Sequence, residues 1–437
     1  ENPVAVIGTF DKKYLDLPRE LLITVMKHHQ KYFAMENARG TLANSFVAFS
    51  NMDCADLSVV RKGYERVLEA RLADARFFFD EDRKYPLSHF QEKLAGVVYQ
   101  KGLGTMADKT DGIKRIAALI AADICPDEKS NVERAAELCK ADLTTSMVYE
   151  FPELQGIMGR EYAKAQGENS EVASAIDEHY KPRFSGDELP SGDIATAVAL
   201  ADKIDTICGT FALGHIPTGS EDPFALRRHA IGIVRILLTD YGKKLSLYKL
   251  INHGKPSPPE DVVKNTKKLY ILIDDFFKGR IKNDFQSRGF SFDVIDAIVE
   301  ANPVYYLPDA LKRCEALAEM KKEDYCENLS ISFKRAANIV KEHFSTDIDE
   351  SILDEVAEKG LLASLKEREK NVAPLLESKD FESALKEIAK IRSAVDYFFD
   401  SVMVMADDQK LKENRLSILR RVVNLFKNVA DFSKLVY

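Results

Sequence analysis

The sequence predicts a mainly α-helical, multidomain chain with a small α/β segment at its N-terminal end. Strand-type apolar runs are confined to about the first 80 residues. Apolar positions then recur at three- and four-residue steps from Tyr85 to about Leu250, and again from about Tyr325 to the end. A length of 437 residues accommodates two to four domains.

In order, Val4–Gly8, Lys31–Met35 and Phe46–Phe49 are short apolar runs of strand type, and Asn37–Gly40 supplies a turn. Leu21–His28 has helical spacing, and a long helix is expected from about Val59 to Phe79, with Asp80, Glu81 and Asp82 opening a polar connection. The chain is organised around Asp142–Ala163. There Leu143, Met147, Val148 and Phe151, then Leu154, Ile157, Met158 and Tyr162, define two buried helical faces separated by Pro152. Asp142, Thr144, Thr145 and Ser146 are suitable caps for the first, and Gly156 and Gly159 permit close backbone approach. Residues 181–193 read as a loop. Ile194–Thr206 is a strongly apolar helix holding Asp202, Lys203 and Asp205, and Asp222-Pro223 opens a helix carrying Arg227, Arg228 and Arg235.

Residues 254–259 (GKPSPP) read as a linker. Helices are expected at Val262–Gly279, Phe292–Glu300 and Asp309–Met320. Lys341–Leu376 alternates charge and reads as a largely solvated face, and Lys410–Lys427 as a basic helix.

The composition, 45% hydrophobic and 30% charged, supports several ordinary cores. No run of about eighteen apolar residues suits a membrane span. Six scattered cysteines (54, 125, 139, 208, 314, 326) without a C-x-x-C pair suit free thiols in a reducing cytoplasm. The opening Glu1-Asn2-Pro3 leads to the expectation of a piece of a longer protein. A formal net charge of −8 argues against a general nucleic-acid coat while allowing a local basic face.

Several catalytic patterns are absent. Gly214–Ser220 has P-loop spacing, but Ser220 stands where a lysine must reach phosphate. There is no Gly-x-Ser-x-Gly elbow and no His-Glu-x-x-His helix. A metal-dependent phosphohydrolase of HD type would place a His-Asp dyad where Ala141-Asp142 stands, with Asp202 or Asp205 as distal carboxylate, and Ala141 offers no ligand atom. A basic surface is the stronger pattern. Lys334, Arg335 and Asn338 flank an apolar stripe, and Lys410, Lys412, Arg415, Arg420 and Arg421 cluster near the C-terminus. Such groups contact phosphates and read exposed bases, or else form solvated helix faces.

The wording of seven segments carries a resemblance: MKHHQKYFAME, RLADARFFFDEDRK, GTMADKTD, KADLTTSMVYEFPELQGIMGREYA, ALADKIDTICGTF, PTGSEDPFALRRHA and FFDSVMVMADDQKLKENRLSILRRV, spanning Met26 to Val422. They resemble the β subunit of the bacterial heterotetrameric glycyl-tRNA synthetase, without its N-terminal part. The resemblance implies residues 1–80 similar to part of a phenylalanyl-synthetase β-type domain, an HD-like helical domain over 81–253 with degenerate metal ligands, a helical linker region over 254–324, and a helical anticodon-binding bundle over 325–437. Phe398-Phe399-Asp400, Val402–Met405 and Asn414-Arg415-Leu416 match the bundle's pattern.

The resemblance also implies a role. The chain would be the non-catalytic, tRNA-binding subunit of glycine–tRNA ligase, cytoplasmic and paired with an α subunit in an α2β2 heterotetramer. It would hold tRNA-Gly while ATP and Mg act at the α subunit, and would bind no cofactor or metal itself. Lys334, Arg335, Asn338, Lys412, Arg415, Arg420 and Arg421 are then the expected anticodon-arm contacts. Arg160, Lys181, Arg183, Arg227 and Arg228 are those expected for the acceptor side or the α interface.

Overall fold

Alternating inward residues build the first sheet in a computed structural model, which describes residues 3–51, 56–184, 186–219, 221–254, 266–301 and 306–437. Strand β1 (Val4–Thr9) turns Val6 and Gly8 inward. After α1 (Arg19–Thr24), β2 (Phe33–Glu36) and β3 (Leu42–Ser50) complete an antiparallel sheet of order β1-β3-β2. Gly8 pairs with Phe46, and a Cβ at Gly8 would lie 2.4 Å from the Phe46 ring, so only glycine leaves room for it. Phe46 stacks on Tyr32 with centroids 4.7 Å apart.

Helix α2 (Leu57–Asp82) starts where the Asp56 carboxylate accepts the Ser58 N–H. Its buried side chains, Leu68, Leu72, Ala75 and Phe79, follow three- and four-residue steps. It runs one turn beyond the expected end. Asp82, read from sequence as polar connection, is buried and accepts from Ser146 N–H, Met147 N–H and Tyr162 O–H at 2.9–3.1 Å. Sheet, α2 and the stretch Leu138–Ile176 share one hydrophobic core. Packing therefore runs through residue 80 without a break.

The next elements are α3 (Leu87–Lys93), a short hairpin of β4 (Val98–Gln100) and β5 (Gly104–Thr105), α4 (Met106–Ile124), α5 (Lys129–Leu138), α6 (Ser146–Glu150), α7 (Ile157–Ala165), α8 (Ser170–Glu178), α9 (Gly192–Ala212) and α10 (Leu226–Leu237). The hairpin departs from the all-helical expectation for 85–250. Gly102 and Gly104, both at positive φ, turn the chain back there. The organising stretch is more broken than a helix pair. A 3-10 turn at Ala141–Thr144, α6 and a second 3-10 turn at Pro152–Leu154 precede α7, because Pro152 cannot continue α6 and Gly156 sits at φ 85°. Helix α9 is buried almost all round and packs on α4, α5 and α8.

The chain divides into two units, Glu1–Gly232 with His253–Lys264, and Ile233–Asn252 with Asn265–Tyr437. Helices α11 (Tyr241–Lys244), α12 (Leu247–His253), α13 (Thr266–Ser287), α14 (Phe292–Val299) and α15 (Leu307–Met320) lead to α16 (Cys326–Ile339), α17 (Val356–Glu377), α18 (Phe381–Ala389), α19 (Arg392–Ser401) and α20 (Gln409–Lys427). Phe333 of α16, Phe426 of α20 and Phe432 meet at centroid distances of 5.0–6.0 Å. One expectation holds and one changes. Residues 341–376 are largely exposed, as the charge alternation predicts, while α17 buries one face through Leu361, Leu362, Leu365 and Val372, with Glu358 and Arg368 among them. Helix α20 is a core helix, buried at Asn414–Leu419, Val422, Val423, Leu425 and Phe426.

The linker reading beyond Gly254, the helix start at Val262, Cys54 and Ser220 lie outside the described residues. The described cysteines are free and buried. No described helix is long and apolar enough to cross a membrane.

Candidate functional site

The C-terminal helices present an arginine–aromatic surface. Arg335 and Asn338, one turn apart on α16, are both exposed. The Arg335 guanidinium lies 4.2 Å from the Phe399 ring centroid. Beyond α19 the chain exposes Met403 and Met405, and Arg415 anchors this loop by donating to the Met403 carbonyl at 2.7 Å. Arg420 donates to the carbonyls of Val340 and His343 and sits 5.5 Å from the ring of Phe344, which is 81% exposed. An exposed guanidinium held over the buried Phe399 ring, the exposed Phe344 ring and two exposed thioethers suit stacking on unpaired bases.

Other expected contacts are placed differently. Arg415 is buried, ion-paired with the fully buried Glu358, and is not presented at the surface. Its sequence neighbour Asn414 brackets Asp349, donating to its carbonyl at 3.0 Å and accepting its N–H at 2.8 Å. Arg421 pairs with Glu369, and Lys334 donates to the Leu435 carbonyl at 2.7 Å. Lys412 is half-buried.

The first unit holds a buried charged centre on α9. Asp202 receives Lys109 Nζ on Oδ1 and Lys140 Nζ on Oδ2, each at 2.9 Å. Lys109 also meets Asp205 Oδ2 at 2.9 Å and Thr206 Oγ1 at 2.7 Å. Burial opposes the Asp202 charge, yet the two ammonium groups hold its carboxyl well below the usual range. Burial likewise opposes the Lys109 charge, and Asp202 and Asp205 outweigh it and push its pKa up. His179 is fully buried, its Nδ1 2.8 Å from the Ile176 carbonyl and its Nε2 3.9 Å from Asp202. Burial, then Lys140, keep its pKa well below the ordinary value, so it stays neutral.

Asp142, the position an HD-type dyad would use, is engaged by backbone. Its Oδ2 accepts Gly156 N–H at 2.6 Å and Gly159 N–H at 3.1 Å, capping α7 rather than its own turn. A Cβ at Gly159 would lie 2.6 Å from Ile176 and 3.2 Å from the Asp142 carboxylate. Ammonium groups thus occupy Asp202, and amides occupy Asp142, where a hydrolase would need open carboxylates. Among the described residues no group of three or more His, Cys, Asp or Glu is placed to hold a metal ion. The metal-dependent phosphohydrolase reading has no support in this donor set.

The remaining expected contacts are largely engaged within the protein. Arg160 meets Glu20, Glu161 and Asp177 at 2.7–3.0 Å. Lys181 meets Glu178 and Glu188 at 3.2 and 3.3 Å, and Arg183 meets Asp177 at 2.6 Å. Arg227 donates to the Gly219 carbonyl at 2.6 Å, its helix start being capped by Asp222. Arg228 is exposed and lines a cavity with Arg183.

Residues 1–300 match the family described as glycyl-tRNA synthetase beta subunit. The chain belongs to that family. Residues 329–432 match the DALR anticodon binding domain, the region of α16–α20 described above. The glycine–tRNA ligase beta subunit of Geotalea daltonii is 45% identical over 435 residues, that of Desulforamulus reducens 45% over 440 and that of Syntrophotalea carbinolica 43% over 438. Each alignment covers 100% of this chain, and the chain spans 63% of the length of these relatives.

In this glycyl-tRNA synthetase beta subunit family member, Lys109, Lys140, His179 and Lys203 were not singled out as a centre by sequence. The available signal was Lys109 standing on the apolar stripe that continues through Ile113, Ile116 and Ile120. The Asp142 cap carries a testable consequence. Burial pushes the Asp142 carboxyl up to about 6, against Gly156 and Gly159, which stabilise its ionised form. The native state therefore keeps a proton that the unfolded state loses between pH 3.8 and about 6, and stability from this group falls as pH rises through that window. Asp142→Asn, which retains an acceptor for the cap, is expected to gain on wild type from pH 4 to pH 7 by about 2 kcal/mol. Denaturant midpoints of both proteins at the two pH values measure this. Asp142→Ala, which strands both amides, is expected to destabilise at either pH.

Proposed function

We propose that this chain is the tRNA-binding part of a glycine–tRNA ligase β subunit, acting in the cytoplasm without a catalytic site of its own. It would assemble with the α subunit as α2β2 and position tRNA-Gly for glycylation where α binds ATP and Mg. Holding the 3′ end near the activated amino acid turns a bimolecular encounter into a local one. The observation that carries this reading is the anticodon-binding match over 329–432, coinciding with the exposed Arg335, Asn338, Phe344, Met403 and Met405. The first unit serves in this reading as an HD-like scaffold whose carboxylates are neutralised by Lys109 and Lys140.

The isolated chain is expected to give no glycine-dependent ATP–pyrophosphate exchange, and tRNA glycylation only when α is added. Exchange by the pure chain at ordinary enzyme turnover would overturn the non-catalytic assignment. Arg335→Ala is expected to weaken tRNA-Gly binding by about 1–3 kcal/mol, the range for losing one base-stacking partner. Its unfolding midpoint should barely move, because Arg335 is exposed. Filter binding and thermal unfolding of the same preparation separate the two effects.

A further inference from the structure

A cavity of about 290 Å³ in the first unit is walled by Lys203, Arg183, Arg228, His229, Tyr180 and Glu153, among others. Lys203 is its unusual member. The residue is 2% exposed, and among the described residues its ammonium donates only to the carbonyls of His179 at 3.0 Å and Tyr180 at 3.4 Å. Among the described residues no carboxylate meets it, unlike Lys109 and Lys140, which share Asp202. An ammonium removed from water without a counter-ion is costly. Burial accordingly brings the Lys203 pKa down to about 7, against the more distant attraction of Asp202 and with Lys140 and Lys109 adding to the fall. Gly232 lets the lysine stem pass: a Cβ there would lie 3.0 Å from Lys203 Cε.

The rest of the wall continues this positive character. Arg183 donates Nη2 to Asp177 Oδ1 at 2.6 Å, its only side-chain acceptor among the described residues, and Arg228 is exposed at the cavity. His229 is half-buried and neutral, desolvation pushing its pKa down to about 3, and so offers a ring N–H without adding charge. The acidic lining residue, Glu153, lies 3.8 Å from both His28 and His29. Arg228, Lys203 and the Asp177-paired Arg183 thus stand against Glu153, and the wall is left with a positive surplus that suits an anion. A phosphate monoester carries about −1.5 to −2 at neutral pH and supplies acceptor oxygens for ammonium and guanidinium donors. The volume sits at the small end of ligand sites and leaves room for a phosphate with a small organic group.

We propose that this cavity is a binding site for a phosphate monoester, with Lys203 and Arg228 as its principal cationic contacts and Arg183 and His229 completing the wall. Bound phosphate would give Lys203 the counter-charge it lacks. The site is separate from the C-terminal arginine–aromatic surface and stands or falls independently of anticodon recognition.

The test uses the full chain, with inorganic phosphate and glycerol 3-phosphate as probes and glycerol as control, followed by calorimetry and thermal unfolding. Both phosphates are expected to bind saturably with Kd of about 1 mM or tighter and to raise the unfolding midpoint, whereas glycerol does neither. Arg228→Gln, at an exposed position, is expected to weaken binding about tenfold, the loss of one charge-assisted contact, with an unchanged midpoint. Lys203→Met is expected to fold, since it removes an uncompensated charge at similar volume, and to lose both binding and the ligand-induced midpoint shift. Displacement of bound phosphate by tRNA, lost when its 5′-phosphate is removed, would identify that terminal monoester as the natural occupant, and lack of displacement a small metabolite. Absence of saturable binding up to about 20 mM, well above that Kd, or equal binding by wild type and both variants, would overturn the proposal.

Discussion

Arg415→Ala is expected to destabilise the C-terminal helices by about 3–5 kcal/mol, the range for breaking a buried ion pair by removing one partner. Glu358 is fully buried, and Arg415 is its cationic partner. Glu358 also accepts the N–H groups of Asp354 and Glu355 at 3.1 and 3.0 Å, fixing the start of α17. Arg415 in turn holds the Met403 carbonyl. One truncation therefore strands a carboxylate, loosens the 402–408 loop and weakens the contact between α17 and α20. Pairing Arg415→Met with Glu358→Gln removes both charges and should recover much of the loss. Urea unfolding of the two single variants and the double variant measures the coupling. A midpoint unchanged by Arg415→Ala would contradict this placement, and would return Arg415 to the residues available for RNA.

Asp202→Ala is expected to cost a similar 3–5 kcal/mol or so, for the opposite reason: it leaves cations without a counter-ion. Lys140 loses its carboxylate, and Lys109 keeps only Asp205. Because α9 packs on α4, α5 and α8, the loss falls on the core of the first unit. Replacing Lys140 with Met together with Asp202→Asn should be milder than Asp202→Ala alone, since the mismatch in charge is smaller. Thermal unfolding with and without a chelator tests the assignment. A structural Lys–Asp centre predicts no chelator effect and a large midpoint drop for Asp202→Ala. Chelator-sensitive wild type with a stable Asp202→Ala variant would point instead to a metal ligand.

The first sheet and the long helices were legible because their apolar periods are local: Val4–Gly8 alternates, and Leu68, Leu72, Ala75 and Phe79 keep helical steps. What remained hidden depends on partners far along the chain. Arg415 stands beside the apolar residues of α20, but its character is decided by Glu358, 57 positions away. Asp82 looked like the start of a polar connection, and became a buried cap because α6 and Tyr162 bring donors to it. The hairpin near Gly102 was lost in the surrounding helical period, its strands being only three and two residues long. For the candidate surface, the Arg335–Asn338 spacing was visible, whereas the ring beneath Arg335 comes from a separate helix, α19. The lysine centre escaped notice because a buried charge is recognised by its counter-ion, and Lys109 and Asp202 are 93 positions apart.

The central claim, that the C-terminal helices recognise the anticodon arm, is tested most directly by binding of tRNA-Gly and of the same tRNA with a changed anticodon, each at two salt concentrations. Wild type and an Arg335→Ala/Asn338→Ala variant would be compared. The account predicts binding that falls as salt rises, weakens when the anticodon is changed, and loses that discrimination in the variant while the unfolding midpoint stays the same. Equal affinity for both tRNAs, unchanged by the double substitution, would contradict it.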